Sequence, residues 1–160
     1  MNKLTFSPDK YQKAFLDAFI ENLNSFKNNF MILNGDAGTG KTELILELID
    51  ICNTNLIAVE TTAFTGRAAA VLKDRGVENA YTVDKWLGKL QDLFLIKKYS
   101  DHKAFVLIID EASMIANGYE IYETKKDNEA LLLHEIIYAF LKHIPNENKF
   151  IVFVGDDKQL

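Results

Sequence analysis

Residues 35–42 read Gly-Asp-Ala-Gly-Thr-Gly-Lys-Thr, which is the spacing of a phosphate-binding loop. Glycines let such a loop form a nest of backbone amides around phosphate oxygens without side-chain clashes. Lys41 can place its positive charge on the β- and γ-phosphates, and the Thr42 hydroxyl can ligate Mg²⁺. The stretch follows an apolar run and opens a helical pattern, as this motif requires. The sequence therefore predicts a P-loop that binds ATP and Mg²⁺. Its predicted nucleotide contacts are Gly35, Ala37, Gly38, Thr39, Gly40, Lys41 and Thr42.

An acidic pair, Asp110-Glu111, ends the apolar run 105–109. In P-loop enzymes an aspartate at this place lies beside the nucleotide and holds Mg²⁺ directly or through water. We therefore expect Asp110, like Thr42, to be a metal ligand. An adjacent glutamate is suited to be the general base that activates water for hydrolysis. Glu111 and Lys41 are thus candidate catalytic residues.

The elements that must position these groups alternate between helix and strand patterns. Ser7-Pro8-Asp9 predicts a helix start, with a capping hydroxyl, a proline at the first helical position and an acid in the first turn. Apolar residues then recur at the spacing of one helical face, at Tyr11, Ala14, Phe15, Ala18, Phe19, Leu23 and Phe26.

Nearly continuous apolar runs predict strands that are buried on both faces, as in a parallel sheet between helices. These runs are 30–33, 56–59, 105–109 and 150–154. Helical patterns are found at 41–52, 66–75 (ending at Gly76), 83–97 and 128–143, whereas the polar stretch 116–127 predicts a solvated loop. The alternation predicts an α/β fold with a parallel sheet, in which ligands lie at the carboxyl ends of the strands.

Composition is that of one ordinary globular domain: 160 residues, of which 48% are hydrophobic and 26% charged. The net charge of −5 argues against nucleic-acid binding by charge alone, but backbone amides, hydroxyls and aromatic rings can also hold a strand. No apolar stretch approaches the roughly 20 residues that span a bilayer, so we expect no membrane contact and a cytoplasmic location. Cys52, the only cysteine, is expected to be a small buried hydrophobe.

The last residues separate a motor from a small-molecule kinase, two alternatives that a P-loop and an acidic pair leave open. Residues 155–160, Gly-Asp-Asp-Lys-Gln-Leu, resemble the third motif of superfamily-1 helicases, G-D-x-x-Q-L. Residues 110–113, Asp-Glu-Ala-Ser, look like the second motif of that family. The resemblance implies that Gln159 contacts the γ-phosphate and couples nucleotide state to DNA, which makes Gln159 a third catalytic candidate.

Residues 63–69, Ala-Phe-Thr-Gly-Arg-Ala-Ala, are similar to the RecD-like form of motif Ia, which touches single-stranded DNA in that family. The resemblance implies DNA contacts from Phe64, Thr65, Gly66 and Arg67. Residues 82–87 look like the T-I-H-x-L-L segment, which adds Thr82 to the DNA-binding set. Two residues depart from the pattern, since Phe64 replaces a proline and Asp84 a histidine. Phe64 either stacks on a base or belongs to the core, whereas Trp86 is expected in the core.

Gln12 matches the position at which these helicases read adenine with a glutamine amide. The resemblance, to RecD-like and phage Dda-like helicases above all, covers nearly the whole chain. It implies a RecA-like P-loop NTPase domain over residues 1–160, acting as the N-terminal motor domain of an ATP-dependent DNA helicase. A second RecA-like domain with an arginine finger follows in that family, so we expect a fragment with little ATPase activity alone. The alternative is a non-helicase P-loop module, either a nucleotide-responsive binding domain or a small-molecule kinase.

Overall fold

The computed structural model describes residues 7–114 and 133–156, over which strands and helices alternate. The strands are β1 (Phe30–Asn34), β2 (Ala58–Ala63), β3 (Ala80–Thr82), β4 (Phe105–Asp110) and β5 (Lys149–Gly155). The helices are α1 (Lys10–Ser25), α2 (Lys41–Thr54), α3 (Gly66–Asp74), α4 (Val83–Lys89), α5 (Leu93–Ser100) and α6 (Leu133–His143), and a 3-10 turn covers Ala112–Met114. The predicted loop 116–127 and the start of the predicted helix 128–143 lie outside the described residues. None of the described helices is long and apolar enough to cross a membrane.

The described strands form one parallel sheet in the order β1-β5-β4-β2-β3. β4 lies in the middle, and its apolar residues are fully buried. Parallel pairing aligns the carboxyl ends of the strands: Asn34 lies opposite Gly155, and Ala63 lies between Asp110 and Thr82. The segments that follow β1, β2 and β4 therefore emerge at one edge of the sheet, where open α/β sheets bind their ligands.

Helices cover both faces of the sheet, which confirms the predicted α/β class. On one face, α1, α2 and α3 pack against Val106 and Ile108 of β4. On the other face, α4, α5 and α6 pack against Phe105, Leu107 and Ile109. Successive β4 side chains thus enter different cores, as the period of a strand requires, and a strand buried in this way has to be apolar throughout.

Two residues predicted to be core members are confirmed. Trp86 is 0% exposed and packs in the second of these cores, so it is not available as a platform for a base. Cys52 is also 0% exposed, and burial raises the pKa of its thiol to about 12. This thiol therefore stays protonated and unreactive at neutral pH.

β1 departs from the prediction that every strand is covered on both faces. Met31 and Leu33 pack against the first core, but Phe30 is 58% and Ile32 66% exposed. The reason is topological, because β1 ends the strand order and its hydrogen-bonded neighbour in the described sheet is β5 alone. Helices α4, α5 and α6, which cover β4 on this face of the sheet, do not extend over β1.

The start of α1 also differs from the prediction. Asp9, not Ser7, caps the helix, and its side chain accepts hydrogen bonds from the Tyr11 and Gln12 amides. Gln12 returns the contact, since its side-chain Oε1 accepts from the Asp9 amide, which completes a capping box. Pro8 therefore precedes the helix rather than opening it.

The buried face of α1 is rotated from the predicted one. Tyr11 is 81% exposed, and Ala14 and Ala18 are exposed as well. Phe19 and Leu23 are buried as predicted, and Phe15 and Phe26 pack against the core, but the buried face also includes Leu16 and Asn22. Asn22 was left out of the predicted face because it is polar; its side-chain amide is hydrogen-bonded to both backbone groups of Asn28, and this pairing lets it be buried.

Two further boundaries differ from the sequence prediction. β3 was missed because it is only three residues long, Ala80–Thr82, and is not an apolar run. The single helix predicted over 83–97 is divided into α4 and α5. The Leu90 amide bonds to both the Trp86 and Leu87 carbonyls, so the last turn of α4 tightens and the helix ends there.

β2 begins later than predicted because Leu56 belongs to the end of α2. The Leu56 amide bonds to the Asn53 carbonyl and the Ile57 amide to the Cys52 carbonyl, which is a Schellman motif with Leu56 in the left-handed position, φ 56°. α3 ends in the same motif, but there the left-handed residue is Gly76, φ 97°. Leu56 is 75% exposed, so its side chain gains little from packing that could offset the backbone strain.

We expect Leu56→Gly to stabilise the protein by about 0.5–1 kcal/mol, because glycine adopts the left-handed conformation without a Cβ clash and little packing is lost. Urea denaturation measures the change. The matched control is Gly76→Ala, which should destabilise the protein by about 1 kcal/mol, since an added Cβ meets nothing within 4 Å and only the backbone conformation is strained. A Leu56→Gly protein that unfolds at a lower urea concentration than the wild type would contradict this account.

Candidate nucleotide-binding site

The predicted P-loop connects β1 to α2 and has the backbone that its glycines allow. Gly38 and Gly40 take φ values of 79° and 77°, a region that side chains disfavour. A Cβ at Gly40 would also lie 2.9 Å from the Gln12 side-chain nitrogen, and one at Gly35 would lie 2.8 Å from Thr39 Oγ1. The loop is therefore built on glycine for close packing as well as for conformation.

Lys41 is the first residue of α2, and its side chain curls over the loop. Its Nζ donates to the Gly35 carbonyl at 2.6 Å and to the Asp36 carbonyl at 2.8 Å. An ammonium has three N–H groups, so one of them is left for another acceptor while both carbonyls are bound. A positive charge held at the P-loop in this way is suited to the terminal phosphates of a nucleotide.

The acidic pair lies at the carboxyl end of β4. Glu111 has a left-handed backbone, φ 55°, and its amide donates to Asp110 Oδ1 at 2.9 Å. Burial raises the pKa of Asp110 above its usual range; the hydrogen bond from the Glu111 amide opposes this rise, the Glu111 charge adds to it and the Lys41 charge opposes it. A buried carboxylate of this kind is stabilised by a cation.

A cleft of about 170 Å³ brings the two motifs together. Its lining residues are Ala37, Lys41, Thr42, Asp110, Glu111, Gly155 and Asp156. The hydroxyl of Thr42 and the carboxylate of Asp110 are hard oxygen donors, which Mg²⁺ prefers. Among the described residues no group of three or more His, Cys, Asp or Glu side chains could hold a metal. The donor set thus fits a Mg²⁺ whose other ligands come from phosphate and water, as is usual for nucleotide sites.

A larger cavity of about 470 Å³ adjoins the loop on the side of α1. Gln12 lies in its wall, and its Nε2 donates to the Thr39 carbonyl of the P-loop at 2.9 Å. Its Oε1 accepts from the Asp9 amide, so the side chain joins the helix cap to the loop. This structural role of Gln12 was not predicted, although the Asp-x-x-Gln spacing of residues 9–12 is a recognisable capping box.

The predicted DNA-contact residues lie at the same sheet edge as the cleft. Phe64 is half-buried and packs against the second core, while Gly66 and Arg67 are exposed. Thr65 caps α3, and its hydroxyl donates to Glu111 Oε2 at 2.6 Å. Thr82, opposite Ala63 in the sheet, caps α4. Gln159, the third catalytic candidate, lies outside the described residues.

The chain is similar in sequence to known proteins. Residues 20–160 match the family described as an AAA domain. The chain is 31% identical over 161 residues to an uncharacterized protein of Methanocaldococcus jannaschii, a match that covers 95% of this chain and 13% of that protein. It is 29% identical over 164 residues to the RecBCD enzyme subunit RecD of Buchnera aphidicola, covering 83% of this chain and 23% of that subunit.

The solved structure of Pif1 helicase from Candida albicans is similar in fold. Its TM-score is 0.57 at 22% sequence identity, and the match covers 95% of this chain and 33% of that one. The predicted RecA-like fold is thereby confirmed. The chain spans well under two thirds of each of these relatives.

The raised pKa of Asp110 predicts how pH affects Mg²⁺-dependent nucleotide binding. A carboxyl whose pKa is raised keeps its proton to a higher pH, and a protonated carboxyl does not ligate a cation. On acidification, Mg²⁺-nucleotide affinity should therefore begin to fall above the ordinary aspartate pKa of about 3.9. Asp110→Asn should bind more weakly and lose this part of the pH dependence. The nucleotide phosphates also gain protons as the pH falls. The measurement is therefore the ratio of the wild-type and Asp110→Asn dissociation constants at each pH. A ratio that does not change with pH would contradict the prediction.

Proposed function

The chain belongs to the AAA domain family as a RecA-like ATPase domain of the superfamily-1 helicase type, and from this premise we propose that it hydrolyses ATP to drive movement on single-stranded DNA. The observation that carries the proposal is the cleft in which Lys41 and Thr42 face Asp110 and Glu111. In this proposal Lys41 binds phosphate, Thr42 and Asp110 are the metal ligands and Glu111 is the base, which together are the minimum that hydrolysis of a phosphoanhydride requires.

In the proposed reaction the P-loop amides and Lys41 bind the β- and γ-phosphates of ATP. Lys41 exchanges its contacts with the Gly35 and Asp36 carbonyls for phosphate oxygens, or adds a phosphate oxygen through its remaining N–H. When Mg²⁺ is bound, Thr42 and Asp110 would hold it, and it would neutralise charge on the phosphate oxygens. Glu111 accepts a proton from the water whose oxygen attacks the γ-phosphorus, while the bond to the bridging oxygen breaks and ADP leaves.

The nucleic-acid part of the proposal rests on the segment between β2 and α3. Gly66 and Arg67 are exposed at the start of α3, and Thr82 lies opposite Ala63, the last residue of β2 before this segment. A net charge of −5 argues against binding that depends mainly on a broad basic surface. We infer that single-stranded DNA is held by a few backbone amides, by hydroxyl groups and by one arginine, Arg67. Phe64 is half-buried, so the ring that it offers to a base is partial.

The small-molecule kinase is less well supported than the motor. A kinase lid needs arginines, and the sequence contains two, Arg67 and Arg75. Arg75 is paired with Glu43 of α2 on the surface. Neither arginine lines the cleft that holds Lys41 and Asp110. The arrangement of the described residues therefore favours ATP hydrolysis coupled to a DNA strand over transfer of a phosphoryl group to a small molecule.

The ATP site is tested by Lys41→Ala in a calorimetric titration with Mg²⁺-ATP. Loss of a charged donor to phosphate should weaken binding about 10- to 100-fold, with little change in melting temperature. Lys103→Ala is the matched control, because Lys103 is an exposed lysine that precedes β4 at the opposite edge of the sheet. Glu111→Gln should bind Mg²⁺-ATP as the wild type does and lose single-turnover hydrolysis. Equal affinity in Lys41→Ala and the control would refute the assignment.

Gln12→Ala tests the proposal that this amide reads adenine. Its second N–H and second lone pair are the donor and acceptor that the adenine edge would engage, while its present bonds to Thr39 and Asp9 support the loop and the cap. We expect the variant to lose affinity for ATP and GTP, and to lose more for ATP, so that the ratio of the two dissociation constants moves towards one. An equal loss for both nucleotides would assign Gln12 a purely structural role.

A further inference from the structure

Tyr11, near the start of α1, is the most exposed large hydrophobic residue in the part of the chain that the structure describes, at 81%. Its spacing in the sequence predicts a core position, yet the ring packs in neither core. Among the described residues, no hydrogen bond, aromatic ring or cation holds this side chain. Because burial of an aromatic ring is favourable, packing within the domain does not explain a tyrosine here.

The ring belongs to the wall of the 470 Å³ cavity beside the P-loop. This volume lies within the range of small-molecule sites, about 300–1,000 Å³. The apolar part of the wall is formed by Tyr11, Phe15, Ile32, Leu33 and Leu44. Ile32 is 66% exposed, so the cavity contains a second apolar side chain that the domain leaves uncovered. An apolar wall with a few polar groups, here including the Gln12 amide, is typical of a site for a small organic ligand.

The cavity is continuous with the proposed phosphate site. Lys41 lines both the cavity and the cleft that contains Asp110, so the two spaces meet at the group proposed to bind the β- and γ-phosphates. The sugar and base of a nucleotide lie outside the phosphate site, and the base is its flat, partly apolar part. The occupant that this cavity fits is therefore the base of the nucleotide bound at the P-loop.

The backbone that carries the ring is held in place relative to the loop. The Tyr11 amide donates to Asp9 Oδ1 at 2.7 Å, and the neighbouring Gln12 donates through Nε2 to the Thr39 carbonyl of the P-loop at 2.9 Å. The first turn of α1 is therefore fixed before any ligand binds. A tyrosine has few side-chain torsions, so ordering its ring against a ligand costs little entropy. Changing this side chain leaves the amide bond to Asp9 in place, and the helix cap is retained.

We propose that Tyr11 stacks on the base of the bound nucleotide and makes the site selective for purines over pyrimidines. The inference rests on the proposed function and adds a residue to it, because Gln12 reads the edge of adenine whereas Tyr11 holds the face of the base. The two fused rings of a purine offer a larger face to the tyrosine ring than the single ring of a pyrimidine does. Stacking therefore separates both purines from cytosine and uracil, and the Gln12 amide separates adenine from guanine.

Calorimetric titration of the protein with the Mg²⁺ complexes of ATP, GTP, CTP and inorganic tripolyphosphate tests the inference. Tyr11→Ala should weaken binding of ATP and GTP about 5- to 30-fold, the lower part of the range for a base stacked on an aromatic ring. Binding of CTP should weaken by about twofold or less. Tripolyphosphate has no base, so its affinity should not change. Tyr11→Phe keeps the ring and should bind all four ligands as the wild type does.

Two further variants separate stacking from general effects. Tyr138→Ala is the matched control, because Tyr138 is a 62% exposed tyrosine of α6 that does not line this cavity. It should bind all four ligands as the wild type does. Gln12→Ala should move the ratio of the ATP and GTP dissociation constants towards one, whereas Tyr11→Ala should leave that ratio unchanged. Melting curves verify that each variant is folded.

The outcomes distinguish the inference from the proposed function. If Tyr11→Ala binds ATP as the wild type does, weakens tripolyphosphate or CTP as much as ATP, or is not restored by phenylalanine, the inference is overturned and the P-loop assignment stands. Equal wild-type affinity for ATP and tripolyphosphate would have the same meaning. If the wild type binds none of the four ligands, the proposed nucleotide site fails, and the inference fails with it. A loss that is confined to purines and reversed by phenylalanine supports both.

Discussion

β4 is held between β2 and β5 by two parallel ladders, and its apolar residues are buried on both faces. Its last residue, Asp110, can therefore emerge only at the carboxyl edge of the sheet. The same hydrogen-bond ladders bring the ends of the neighbouring strands to this edge. Ala63, at the end of β2, lies opposite Asp110. β5 pairs with both β4 and β1, so the P-loop that follows β1 emerges at this edge as well. A shift by one residue would exchange the two cores for every β4 side chain, and because both cores are apolar, the close packing of differently sized side chains holds the register.

The burial that fixes β4 also determines the electrostatics of the cleft. Asp110 loses water at the end of a buried strand, which raises its pKa, and the positive charge of Lys41 across the cleft opposes that change. The two residues come from separate motifs, yet the charge of Lys41 lowers the cost of burying the Asp110 carboxylate. A cation between Asp110 and Thr42 would act in the same direction. The nucleotide site is thus more than a set of ligands, since its charges balance one another.

Most residues that line the cleft could be identified as candidates from the sequence because their motifs are local. The P-loop needs eight adjacent residues, and the acidic pair needs only an apolar strand before it. The arrangement of strands was less predictable, because the apolar run 30–33 has the same composition whether the strand is central or at the end of the order. Phe30 and Ile32 are exposed because β1 lies at the end of the strand order, which the residue types in the run do not reveal. Leu56 was assigned to a strand because leucine rarely occupies the left-handed end of a helix, where Gly76 is ordinary.

Contacts between motifs could not be predicted in this way. Thr65 and Glu111 lie 46 positions apart in sequence, and they meet only because β2 and β4 are neighbours in the sheet. Segment 64–67 follows β2 and the acidic pair follows the adjacent strand β4, so the residues proposed to contact DNA lie beside the residue proposed as the base. A hydrogen bond from the Thr65 hydroxyl to the Glu111 carboxylate joins them directly. The pairing of β2 with β4 brings these two parts of the sequence together, and a reading of local motifs does not include that pairing.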